Sequence, residues 1–167
     1  KGEPYFYDLL KPLAAVDNLA PEDFIDWGSE EQYQKAIGIG ECAGVVIDLV
    51  ATLLYESEEK ILNAISTLHE EKWAASIYHS YSAMVNAAKA LLTTEKTKTN
   101  THTSIINDFD EIFIASNKIE LGQAFAEIVL QINKNEPTPD FAKQYLKDAQ
   151  DFLESVEAYR KMDLINV

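Results

Sequence analysis

One cysteine, one arginine, two methionines and no apolar run near the length of a membrane span set the first limits on this chain of 167 residues. With Cys42 alone there is no intramolecular disulfide, no CxxC redox pair and no thiolate set for zinc or an iron–sulfur cluster. A reducing, cytoplasmic setting follows as the expectation. A membrane helix needs about 20 consecutive apolar residues, and Lys1 to Tyr7 lack the features of a signal peptide. Cations are scarce too: 14 Lys plus Arg face 28 Asp plus Glu, a net charge of −14. Sequence-independent nucleic-acid affinity comes from basic side chains neutralising phosphates, so a broad nucleic-acid-binding face is not expected.

What is present is the mixture of a folded domain, 47% hydrophobic and 25% charged. That length buries a core without metals or disulfides. The chain opens on Lys1-Gly2, as an excised piece of a longer polypeptide would.

Residues 1–40 differ from the rest. They hold Pro4, Pro12 and Pro21 and four of the six glycines, and no helical stripe runs through them for long. We read them as an irregular N-terminal arm, or the end of a preceding domain. Pro21-Glu22-Asp23 has the form of a helix start, and Phe24 to Trp27 and Tyr33 to Ile39 are expected as short extended pieces. Gly38, Gly40 and Gly44 are expected to bend the arm into the first helix. They do not form a dinucleotide fingerprint, because Gly44 comes one residue late for G-x-G-x-x-G.

Residues 41–167 carry helical periodicity. Val45, Val46, Leu49, Val50, Leu53 and Leu54 share one face, and Ile61, Leu62, Ile65 and Leu68 continue it. Ser57-Glu58-Glu59 offers an N-cap that would break this stretch in two, whereas the unbroken register favours one helix. Trp73 to Leu92 is the clearest helix, with an apolar stripe through Ile77, Tyr81, Met84, Val85, Ala88, Leu91 and Leu92. Beside it runs a small-residue stripe, Ser76, Ser80, Ala83, Ala87 and Ala90, suited to close helix packing or to a dimer. Thr93 to Thr103 is polar and expected as a loop. Helices are then expected over Ser104 to Ile114, Leu121 to Ile132 and from about Thr138 to Lys161. The fold class is all-α, an antiparallel bundle of five or six helices.

Three segments carry a family resemblance: the run WAASIYHSYSAMVNAAKALL, Trp73 to Leu92; the segment THTSIINDFDEIF, Thr101 to Phe113; and the final helix, Asp140 to Arg160. Together, over Ser57 to Lys161, they resemble the HEPN family (higher eukaryotes and prokaryotes nucleotide-binding domain). The resemblance implies a helical bundle, dimers, and in catalytic members a metal-independent ribonuclease using an Arg followed four to six residues later by a His. Arg would stabilise charge on the phosphate and His would move a proton. Here Arg160 is the only arginine and no histidine follows it, while His102 follows Lys96 and Lys98, which lack the planar fork. Asp23 to Ser29 and Ile37 to Gly44 are similar to C-terminal extensions of sulfite or nitrite reductase-like proteins, where a HEPN-type domain follows the reductase part.

Candidate ligand-binding residues are Lys96, Lys98 and His102, as an anion-binding loop, and His79 and Asn86 with Ser82 and Lys89 on the polar side of the main helix. The plainer readings are a solvated loop and an exposed face. His69, His79 and His102 have no metal-ligand spacing, and Glu-x-x-His is absent. No metal or cofactor is expected in this chain. The expected function is a non-catalytic helical interaction or ligand-sensing domain. Its expected partners are protein, its own reductase part or a second copy, with a small anion or nucleotide as ligand and no membrane. The alternative is a HEPN-type ribonuclease or nucleotide-binding protein.

Overall fold

The computed structural model describes residues 30–95, 97 and 101–165, with side chains described within 46–163. The chain divides into two compact units, Lys1–Val45 and Val46–Val167. In the first, the described backbone from Glu30 onward is helical. The second holds the bundle.

Five α-helices are present among the described residues: α1 (Glu30–His69), α2 (Trp73–Thr94), α3 (His102–Phe109), α4 (Phe125–Val129) and α5 (Pro139–Ile165). α3 runs on into a π-helical turn, Asp110–Ile114, and α4 into a 3₁₀ turn, Leu130–Asn133. No strand occurs among the described residues. The all-α architecture is therefore as the periodicity indicates.

One expectation about the first helix changes, and one open alternative closes. Tyr33 to Ile39 is helical, not extended, and the helix continues through Gly38, Gly40 and Gly44. Glu30, Glu31, Gln32, Gln34, Lys35 and Ala36 are good helix formers, and their propensity outweighs glycines that each cost about 1 kcal/mol relative to alanine. The stretch around Ser57 is one helix. Ser57 caps nothing; it is fully buried and donates its hydroxyl to the Leu53 carbonyl at 2.8 Å. Back-bonding of this kind satisfies a serine inside a helix without ending it. The earlier part of the arm, with Pro21 and residues 24–27, lies outside the described residues.

A three-residue turn returns the chain from α1 into α2. Glu71 adopts a left-handed φ of 60°, and Lys72 N–H donates to Thr67 C=O at 2.9 Å. So short a link makes the two helices antiparallel neighbours. The small-residue stripe of α2 is the surface used: Ser76 donates to the Ala64 carbonyl at 2.8 Å, and Ala90 packs with Val50 and Leu53 of α1. Ser76, Ser80, Ala83, Ala87 and Ala90 are at most 1% exposed, so the stripe serves helix packing within the chain and is not open to a second copy.

The other sides of α2 meet α5 and α3. Phe109, Phe113, Phe125 and Phe152 form an aromatic cluster between α3, α4 and α5, with centroid separations of 4.7 Å for Phe109–Phe125 and 4.5 Å for Phe125–Phe152. Offset and tilted pairs at such distances add to the area they bury. Tyr145 reaches through this layer and donates its hydroxyl to Val129 C=O at 2.6 Å. The fourth helix starts at Phe125, four residues later than the apolar spacing from Leu121 indicates. Gly122 turns the chain with φ 75°, and the Asp110 carboxylate supplies the cap at Phe125.

Candidate functional site

Thr101 and Ser104 build the start of α3. Thr101 Oγ1 accepts from the Ser104 N–H at 3.2 Å, and Ser104 Oγ accepts from the Thr101 N–H at 3.3 Å. This reciprocal box satisfies two otherwise free donors. It also fixes His102 as the first helical residue, two positions earlier than the start expected at Ser104.

His102 is exposed, and its Nδ1 lies 2.9 Å from the hydroxyl of Tyr81 on α2. The two rings are 5.6 Å apart at a 49° tilt. Tyr81 is half-buried, and burial, helped by nearby Tyr78, pushes its phenol above the usual range. The hydroxyl therefore keeps its proton throughout the ordinary pH range.

The remaining candidates separate. His79 is two positions from Tyr81, and side chains two apart on a helix leave on nearly opposite sides. It is half-buried, with Nδ1 buried and without a hydrogen-bond partner, and burial first, then the charge of Lys60, holds its imidazole below the ordinary value. Asn86 is half-buried two helical turns further on, close to the azimuth of His79. His79 and Asn86 thus share a side that His102 does not. Lys96 and Lys98 lie outside the described residues. Tyr81 is the residue that apolar periodicity conceals: it sits correctly in the stripe, but a half-buried phenol still needs a partner, and that requirement is the available signal.

Arg160 is far from this pair. It is half-buried near the end of α5, with Nη1 3.4 Å from Asp163 Oδ2. Its neighbour Tyr159 packs its ring 5.6 Å from that of Phe113, and His102 opens the helical run 11 residues before Phe113, about 16 Å at 1.5 Å per residue. The guanidinium thus stands toward the opposite end of that run from the imidazole. What the site offers chemically is one exposed imidazole, hydrogen-bonded on one nitrogen and, among the described residues, without a partner on the other.

Away from these residues, an open apolar recess of about 440 Å³ at the start of α2 is lined by Lys72, Trp73, Ala74, Ala75 and Pro137. None of the described candidate site residues borders it. Among the described residues no helix is long and apolar enough to cross a membrane. Of the segments similar to reductase extensions, residues 23–29 lie outside the described residues and residues 37–44 are helical.

No curated protein and no solved structure matches the chain. A family model described as HEPN domain matches residues 50–162, from the buried start of the bundle through nearly all of α5. The match takes in the Tyr81–His102 pair and well over half of the chain, which therefore belongs to the HEPN domain family.

Proposed function

We propose that this HEPN domain is a non-catalytic binding domain whose ligand surface centres on His102 and takes a small phosphate-bearing molecule. Family membership points to nucleotide-binding or ribonuclease-like function. The observation that favours binding over cleavage is the helical run of about 16 Å between His102 and Phe113, the residue that packs on Tyr159 beside Arg160. A phosphoryl-transfer site needs charge stabilisation and proton movement at one phosphate, and here the sole guanidinium is engaged at Asp163 instead. An exposed imidazole can still recognise a phosphate as a hydrogen-bond donor.

The test is incubation of the purified protein, and of His102→Ala, with single-stranded RNA. No His102-dependent cleavage is expected; cleavage lost in the variant sinks this reading. Titration with AMP, followed by thermal stabilisation, is expected to raise the midpoint in the wild type and not in His102→Ala.

Association with a second copy and with a reductase part of the same polypeptide belongs to the same proposal. Since the Ser76 to Ala90 stripe is used up inside the chain, a dimer would use another face. Sedimentation at high micromolar concentration tests it, and monomer alone counts against it. A reductase cysteine pattern encoded immediately upstream would support the second association, and a different upstream neighbour would remove it.

A further inference from the structure

The contact between Tyr81 and His102 decides more than where the ring lies. A neutral imidazole carries one proton on one of two nitrogens, and the partner of the first nitrogen settles which. Tyr81 offers an O–H that burial keeps protonated. Among the described residues that hydroxyl makes one hydrogen bond, to His102 Nδ1. A phenol is the stronger donor of the two groups, and with its O–H directed at Nδ1 that nitrogen supplies the lone pair and the ring proton sits on Nε2. Nε2 is on the far side of the ring from Tyr81, and the residue is exposed.

Both rings are anchored by their elements. Tyr81 packs on the core cluster from the middle of α2, and the adjoining capping box fixes the backbone of His102. Neither contact depends on residues 96 or 98–100. The pair thus joins two helices through one bond, and no described residue bonds to the other ring nitrogen.

We propose that Tyr81 is the positioning residue of this site: its hydroxyl donates to His102 Nδ1, holds the proton of the neutral ring on Nε2, and aims that N–H outward at a phosphate oxygen of the ligand. The ligand half of this statement rests on the reading of His102 as the contact residue, whereas the tautomer half does not. Tyr81 itself touches no ligand. It acts by keeping the imidazole in one protonation pattern and one orientation, as second partners of functional histidines commonly do.

The test uses the full chain, labelled with ¹⁵N in histidine, at about pH 8.5, where an ordinary imidazole is neutral. In the wild type, Nδ1 of His102 is expected to resonate as an unprotonated, hydrogen-bonded nitrogen and Nε2 as a protonated one. Tyr81→Phe should remove the hydrogen-bond shift at Nδ1 while leaving the melting temperature nearly unchanged. Inorganic phosphate and AMP are then titrated separately. Loss of one positioning hydrogen bond should weaken both by about threefold to tenfold in Tyr81→Phe. His102→Gln, whose amide nitrogen stands near the Nε2 position, should retain most of the affinity, and His102→Asn, which reproduces Nδ1, should lose it. A proton found on Nδ1, or a Tyr81→Phe protein with an unchanged Nδ1 signal, overturns the positioning proposal. Equal binding of phosphate and AMP by wild type and His102→Ala overturns the ligand site instead, and leaves the tautomer result to be judged separately.

Discussion

The Asp110 carboxylate reaches across the bundle and accepts two backbone N–H bonds at once, from Phe125 at 2.6 Å and from Ala126 at 2.9 Å. Asp110 opens the π-helical turn after α3, and Phe125 opens α4. Ala124, the residue before α4, has no side chain able to cap it. A carboxylate 15 positions before Phe125 does this instead, with its charge favourably placed at the positive end of the helix.

Asp110→Ala should therefore destabilise the domain by about 1–2 kcal/mol, the range for losing a helix cap. Urea unfolding measures it. The substitution Asp108→Ala, at a neighbouring half-buried carboxylate with no cap contact among the described residues, should cost distinctly less. Equal costs would mean that the Phe125 cap contributes little.

The small-residue stripe makes a steric prediction. Ala83 and Ala87 are 1% and 0% exposed, so enlarging either to leucine should cost about 1–3 kcal/mol through overpacking. If the stripe were an open surface in solution, Ala87→Leu would unfold at the same denaturant concentration as wild type.

Tyr145→Phe removes the donor to the Val129 carbonyl while keeping the ring. An unsatisfied buried carbonyl costs about 1–3 kcal/mol, and calorimetry should show a correspondingly lower melting temperature. An unchanged midpoint would show that water or a backbone donor replaces the hydroxyl.

Acidification should act with opposite signs at two half-buried groups. Burial and the charge of Lys60 hold His79 below the ordinary imidazole value. The fold therefore favours the neutral ring, and this contribution is present above the unfolded value, about 6.5, and lost as pH falls below it. Wild type should lose ground to His79→Gln between about pH 7.5 and pH 5.

Glu157 goes the other way. Burial first, and then neighbouring Glu58, raise its carboxyl above 4.5, with Lys161 partly opposing and Glu154 adding to the rise. The folded state holds the proton more tightly than the unfolded chain, so stability falls as pH rises from the unfolded value through the raised one. Glu157→Gln should melt about 1–2 °C above wild type at pH 7 and converge with it near pH 4. A constant difference at both pH values would assign the effect to packing.

Particular residues mark how much could be read in advance. The main helix was legible from Trp73 onward because its apolar and small stripes each repeat at helical spacing, and the observed α2 differs only at its last turn. Ser57 was ambiguous for a physical reason: a serine hydroxyl can cap a new helix or bond back four residues, and only the presence of packing on both sides of it selects the second. The start of α4 was misplaced because its cap comes from Asp110, and a contact across 15 residues has no local signature. Within the candidate set, His102 was identifiable from the polar stretch Thr93 to Thr103 that it belongs to, although it opens α3. The separation of Tyr81 from His79 needed only the helical angle, whereas the union of Tyr81 with His102 needed the fold.

Composition and periodicity by themselves determined that this is an acidic, all-helical domain without a disulfide framework, because those properties depend on counts and on spacing along one chain. The single arginine likewise excluded a local Arg-to-His pair at once. Tertiary structure decided which stripe faces which helix, that Arg160 and His102 stand at different levels of the bundle, and that Tyr81 meets His102. Those are relations between segments, set by how side chains of many elements fill one core together, and no single stretch of sequence carries them.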